Sequence, residues 1–458
     1  MKISSEADVQ NKQPCKSAGV GRAGIAGLIS WFDKDHLIRH SSLLMLSSLI
    51  ASVLNLVFQM VMGRCLAAEE FGAVGALFGL LLMVCIPAGA IQMCMANYAA
   101  TARASGGNIY MEPIVKFMLL VITPIAIITV ALVLAFVHEI SSSLRFSSNV
   151  PVLLVLVFLV STLCTQVSYG VAHGLQYFGT VSLAGVMSSL ARVVVAYILI
   201  VIGFRITGPL IASIIMMLIF FLITWGRVRR DVAFGLSADN GMKSFKEILS
   251  YFWPALIAFG VITVYMYFDT VLARYVFDPY KAGLYIQAGS IARIVAFIAG
   301  TILTAMFPKV VNAISKKKDC RLLFVRSMAL SLVIVASISL FCCVFPSFLA
   351  KIIFKTSSAE LDQLIRYSVV AFLPVPLFNL LLFFLMARRV FRFLIFELVI
   401  CSIYILVLLI NQPTVNQMLL AIGAFSLVAF LVALYYSFSS LSGGPGSDLD
   451  FEPKTMQN

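Results

Sequence analysis

Charge is what this sequence holds least of. Only 12% of its 458 residues are Asp, Glu, Lys or Arg, and just 20 are acidic. An average soluble domain is about 25% charged and about 45–50% apolar; here 61% of residues are hydrophobic and mean hydropathy is +1.02. A water-soluble fold of this size cannot keep so large an excess off its surface. That excludes a soluble enzyme, a secreted disulfide scaffold, a nucleic-acid binder and a disordered chain. Histidine is sparse too. The four copies stand at positions 36, 40, 138 and 173, without an H-E-x-x-H pattern, and His36 and His40 lack a third ligand. Neither a metal nor a cofactor is expected; those two histidines are read as part of an interfacial helix carrying Ile25, Leu28, Trp31 and Phe32 into lipid headgroups. The nine cysteines show no disulfide or zinc spacing. Cys85, Cys94, Cys164, Cys342, Cys343 and Cys401 lie inside apolar runs, where a thiol acts as a small hydrophobe. Residues 1–37 lack an isolated apolar core followed by a small-residue cleavage site, so the first span is expected to serve as an uncleaved insertion signal. Large loops are missing as well, which leaves no room for a catalytic domain.

What the chain has instead is apolar runs of about 20 residues, long enough to cross a hydrocarbon core of roughly 30 Å. They predict an all-α polytopic membrane protein with twelve spans, near 41–63, 71–100, 117–137, 150–171, 178–204, 206–225, 251–273, 282–308, 327–350, 367–387, 393–411 and 414–438. Spans two and eight are long enough to tilt or kink, at Pro87 and Pro308. Basic loops resist translocation. With these spans, one side collects 23 Lys and Arg residues and the other eight, which predicts that both termini are cytoplasmic. The +13 net charge reflects this asymmetry and attraction to anionic inner-leaflet lipids, not nucleic acid.

The longest internal polar stretch, 226–250, divides the spans six and six. Gln59-(x4)-Arg64 closes span one and Glu69-Glu70-Phe71-Gly72 opens span two; Asp269-(x4)-Arg274 closes span seven and Pro279-Tyr280-Lys281-Ala282-Gly283 opens span eight. The offset of 210 to 211 residues predicts a parallel 6 + 6 repeat, two six-helix lobes around a central cavity. The expected organisation is an N-terminal segment 1–40, an N-lobe 41–225, a linker 226–250, a C-lobe 251–440 and a disordered tail 441–458.

Ionisable groups deep in a span cost about 2.5–3.5 kcal/mol even on a lenient insertion scale. Arg293 lies about eleven residues into span eight, and Arg192 is similarly central in span five. A guanidinium keeps its charge and forks onto phosphate or carboxylate oxygens, so both are candidates for an anionic substrate, with a structural pair as the alternative. Asp269 is read as a coupling-ion ligand or a charge partner of Arg274 or Arg293. Glu397, one turn past Arg388, Arg389 and Arg392, is read as a snorkelling partner of that cluster. Asn55 and Gln59 share a face at i, i+4, Gln92 and Asn97 continue through span two, and Gln287 stands six residues from Arg293. Such amides line sugar cavities or glue helices together.

The stretch Met62-Gly63-Arg64-Cys65-Leu66-Ala67-Ala68-Glu69-Glu70-Phe71-Gly72 resembles the opening hairpin of polysaccharide-biosynthesis (O-antigen) flippases of the multidrug/oligosaccharidyl-lipid/polysaccharide exporter superfamily. Gly174-Leu175-Gln176-Tyr177-Phe178-Gly179 is similar to that family's link between spans four and five. Asp269 to Arg274, Gly283-Leu284-Tyr285 and Phe307-Pro308 are similar to its spans seven and eight. The resemblance covers most of residues 40–440 and implies a V-shaped pair of bundles in the bacterial inner membrane. Its implied substrate is a lipid-linked oligosaccharide carried from the inner to the outer leaflet, and its implied partners are membrane lipids and a polysaccharide polymerase complex. It makes Arg293, Asp269, Gln59, Asn55 and Gln287 substrate-facing, puts Arg64 and Arg274 at the outer mouth, and leaves Arg192 either cavity-facing or structural. A drug/cation antiporter of the same superfamily is the nearest alternative, although spans one to six hold no interior carboxylate for a cation. A membrane-embedded glycosyl- or acyltransferase is the more distant one.

Overall fold

A computed structural model describes residues 36–104, 109–146, 148–233, 241–315, 321–388, 390–411 and 413–442. The expected N-terminal interfacial helix and the tail beyond residue 442 lie outside them. The described chain is almost wholly helical, because a polar backbone in hydrocarbon must satisfy its own hydrogen bonds. The N-lobe consists of α1 (His36–Cys65), α2 (Ala68–Val84), α3 (Ile86–Ala104), α4 (Met111–Phe117), α5 (Thr123–Ala135), α6 (Val137–Ser143), α7 (Val150–Gly174), α8 (Phe178–Ile202) and α9 (Gly208–Val228). One π turn, Met118–Ile122, joins α4 to α5 into a single span. The C-lobe consists of α10 (Gly241–Val276), α11 (Pro279–Ser315), α12 (Arg321–Val344), α13 (Pro346–Phe354), α14 (Ala359–Phe372), α15 (Pro374–Ala387), α16 (Phe393–Asn411) and α17 (Val415–Ser442).

Ten of the described helical segments are long and apolar enough to cross a membrane, and α2 with α3 makes an eleventh, bent by 47°. The bend falls where Pro87 removes a backbone donor and Ala88 N instead donates to Cys85 O at 2.9 Å. The expected eighth span lies in α11, a 37-residue helix that runs unbroken through Pro308. Two boundaries differ from the expected ones. The ninth span ends at Val344, not near 350, because Pro346 starts the separate helix α13. The tenth begins at Ala359, eight residues early: Ser358 Oγ accepts from Leu361 N at 3.1 Å, and Glu360 and Asp362 sit in the positive first turn. The helix α10 likewise starts at Gly241, inside the expected linker.

Within the N-lobe, α8 packs on α1 and α9, and α7 on α3 and α9; within the C-lobe, α11 packs on α14 and α15, and α17 on α15 and α16. The lobes meet where α10 lies along α2 and α3, and where α11 crosses α2 and α1. A two-residue parallel ladder, β1 (Ile109–Tyr110) with β2 (Val232–Ala233), ties two connections together at one end of the N-lobe. That end is called proximal below; the opposite end, with Arg64, Leu144, Arg205 and Arg274, is called distal.

Candidate functional site

The C-lobe half of the site is built on two facing helices. Asp269 and Thr270 on α10 meet Arg293 on α11, and Arg293 Nη2 donates to both Asp269 oxygens at 2.8 Å and to Thr270 Oγ1 at 2.7 Å. Its Nε donates to Met266 O at 2.6 Å. The carboxylate receives further bonds from Tyr285 Oη at 2.9 Å and Thr270 Oγ1 at 3.3 Å. Asp269 is 0% exposed and Arg293 5%, so this is a buried ion pair whose carboxylate is bonded at both oxygens. The guanidinium lies above Phe372, 4.9 Å from the ring centroid, and 5.6 Å from that of Tyr267. Gly289, one turn earlier, leaves the space: a Cβ there would stand 2.6 Å from Nη1.

The N-lobe half is different in kind. Arg192 on α8 donates from Nε to Ser213 Oγ at 3.0 Å and from Nη1 to Asn55 Oδ1 at 3.1 Å. Its guanidinium stacks on Phe58 at 3.8 Å and reaches Phe78 at 5.1 Å. Among the described residues it forms no ion pair. A cation held by aromatic faces and neutral oxygens keeps its charge available to an incoming anion. Tyr267 stands within electrostatic range of Arg192 as well as Arg293, so the two guanidiniums flank one tyrosine across the seam between lobes.

The other sequence candidates scatter. Asn55 belongs with Arg192. Gln59, one turn on, has a buried Oε1 without a partner. Gln287 is buried on α11. Gln92 lies beside Tyr169 inside the N-lobe. Arg64 and Arg274 serve as inter-lobe contacts at the distal end. Arg64 Nε and Nη2 donate to Ile352 O, in the last turn of α13, at 2.8 and 2.6 Å. Arg274 Nε donates to Leu144 O, just past α6, at 3.1 Å. The two contacts are copies of one another, since each arginine ends the first helix of its lobe and reaches the C-terminal carbonyls of the other lobe's short distal helix, where the dipole favours a cation. Arg145, one residue past the C-cap of α6, and Lys355, the C-cap of α13, both adopt positive φ (56° and 62°), at the same 210-residue offset. Between the latches, Gly72 meets Gly283; a Cβ on Gly72 would lie 2.8 Å from Gly283 Cα. Beside them Arg205 and Glu70 pair at 2.5 Å, and that contact holds the exposed Arg205 guanidinium above its ordinary pKa.

Glu397 departs from its expected role. It is 0% exposed, and neither carboxylate oxygen has a hydrogen-bond partner; among the described residues it pairs with no arginine. A helix position one turn inside the span turned it toward the C-lobe core, not toward the headgroups. Sequence reasoning also missed Phe58, Phe78, Tyr267, Thr270, Tyr285 and Phe372. Tyr285 and Arg293, eight residues apart on one helix face, were the available signal for Asp269's partners.

This architecture is that of a two-lobed, all-helical multi-pass membrane protein. It matches the inward-facing conformation of a multidrug resistance MATE family transporter of the MOP superfamily with a TM-score of 0.67 at 16% identity, over 88% of this chain and 98% of that one. The outward-facing conformation of such a transporter gives 0.62 at 17% identity, over 88% and 95%, and a MATE in the bent conformation 0.63 at 15%, over 88% and 97%. No curated protein matches the sequence. Residues 37–313 match the family described as polysaccharide biosynthesis protein, and the chain belongs to that family.

Proposed function

We propose that the protein translocates a polyprenyl-pyrophosphate-linked oligosaccharide between membrane leaflets, from the cytoplasmic to the outer side of a bacterial inner membrane, for cell-surface polysaccharide synthesis. The observation that carries this reading is Arg192, a guanidinium inside a span, at the seam between lobes, with no carboxylate among the described residues to neutralise it. Arg293 contributes less, because Asp269 already balances its charge. A polyprenyl tail is as apolar as lipid and need not leave it; only the pyrophosphate and sugars face the barrier. A forked cation replaces their hydration at close range, and Asn55, Gln59 and Gln287 are suited to sugar hydroxyls. In this reading the distal end is the outer side, both termini are cytoplasmic, and the latched conformation is the one closed to the outside. The headgroup can shift the lobes only by binding one state better than the other. A polymerase that consumes the delivered glycan is the expected partner.

The test is a leaflet-translocation assay in liposomes with lipid-linked oligosaccharide. Wild-type protein flips it, and Arg192→Ala loses at least tenfold; unchanged flipping removes Arg192 from the site. The MATE-like fold favours drug/cation antiport as a second reading, and efflux of a lipophilic cation in place of the glycolipid would select it. Sugar transfer without flipping would point to an enzyme.

A further inference from the structure

Three buried polar groups on one seam of the C-lobe have no partner: both oxygens of Glu397 on α16, Tyr265 Oη on α10 and Tyr404 Oη on α16. All three residues are 0% exposed. A buried polar group without a bond is unfavourable, and a charged one more so, so these groups mark a place where the protonation state matters. They are arranged in series. Glu397, Cys401 and Tyr404 follow at i, i+4 and i+7 on one face of α16. Tyr265 packs on Tyr404 with ring centroids 5.5 Å apart, and Asp269 stands one turn beyond Tyr265.

We propose that Glu397 is a proton-binding site, neutral in this distally closed conformation and ionised only when the α10–α16 seam admits water. The groups that face it decide between a proton and a metal ion. From α10 comes Tyr265, and from its own helix comes Cys401, with Tyr404 a further turn along the same face. The residues of α15 include no titratable side chain, and α17 has only Tyr435 and Tyr436. Among the described residues no second carboxylate faces it and no cation offsets its charge. An ionised carboxylate in such surroundings carries a penalty of several kcal/mol, whereas one proton removes it without further ligands. The helix α10 links this site to the cycle, because it packs on α16 on one side and on α2 and α3 across the lobe boundary on the other. Proton binding therefore favours the closed arrangement, and proton loss favours parting of the lobes.

The inference rests on buried geometry and not on the cargo, so it is read without substrate, on full-length protein in liposomes. Infrared difference spectra at pH 7 between wild type and Glu397→Gln are expected to contain a protonated-carboxyl band in the wild type that the variant lacks. Coincident spectra would mean that Glu397 is ionised, which overturns the proposal. Spin labels at Phe204 and Ser357, exposed at the distal ends of the two lobes, then report opening in a background without native cysteines. The wild type opens as pH rises, and Glu397→Gln stays closed at every pH. Identical pH profiles refute the coupling; opening controlled by Na⁺ at fixed pH assigns the site to a metal cation instead. Should Glu397→Gln fail to fold, Tyr265→Phe leaves the carboxyl in place and is expected to shift its band; an unmoved band also refutes the site.

Discussion

Two arginines at similar depth solve the same electrostatic problem in opposite ways. Arg293 is balanced by Asp269 and fixed by four acceptors, which makes it a structural element of the C-lobe. Arg192 is balanced by ring faces and two neutral oxygens. Removing one member of a buried pair leaves the other uncompensated and costs about 3–5 kcal/mol. Asp269→Asn is therefore expected to lower the unfolding midpoint clearly, while Asp269→Asn with Arg293→Gln lowers it less than the sum of the two single changes. Additive losses in detergent-solubilised protein would show that the pair is not coupled. None of this was visible to periodicity. The sequence marked Arg192, Asp269 and Arg293 as expensive, but it did not show that Arg192 meets Asn55 across 137 positions, or which of the candidate partners Asp269 takes.

At the scale of elements, hydropathy was a sufficient guide to the helices, because a segment that crosses lipid must be long and uncharged. It failed where polar chemistry sets the boundary: at the Ser358 cap, which carries α14 out past its apolar run, and at Pro346, which cuts α13 away from α12. The two-lobed repeat was legible from Arg64 and Arg274, yet their targets, backbone carbonyls on the opposite lobe, have no sequence signature. The Gly72–Gly283 contact brings the backbones of the two lobes close together at their distal ends. A side chain at Gly283 would run into the carbonyl of Ala68, and overpacking of this kind costs about 1–3 kcal/mol. Gly283→Val is expected to hold the distal end open, so that a cysteine at Gln59 reacts faster with a polar thiol reagent than in the unmodified background. Equal rates would show that closure tolerates the added methyls.

For the whole molecule, orientation is the quantity that charge counting addresses and internal geometry does not. Positive residues crowd the proximal connections, including Arg227, Arg229 and Arg230 before the second lobe. Single cysteines introduced at 234–240 should therefore resist impermeant reagents in intact cells and react once the membrane is permeabilised. Labelling from outside would invert the proposed topology.

The paired distal latches contain guanidinium and amide oxygen, with no carboxylate in either. Neither half of that lock depends on an acceptor that a point substitution can delete, because each acceptor is backbone. Only the parting of the two bundles themselves can draw such an acceptor away.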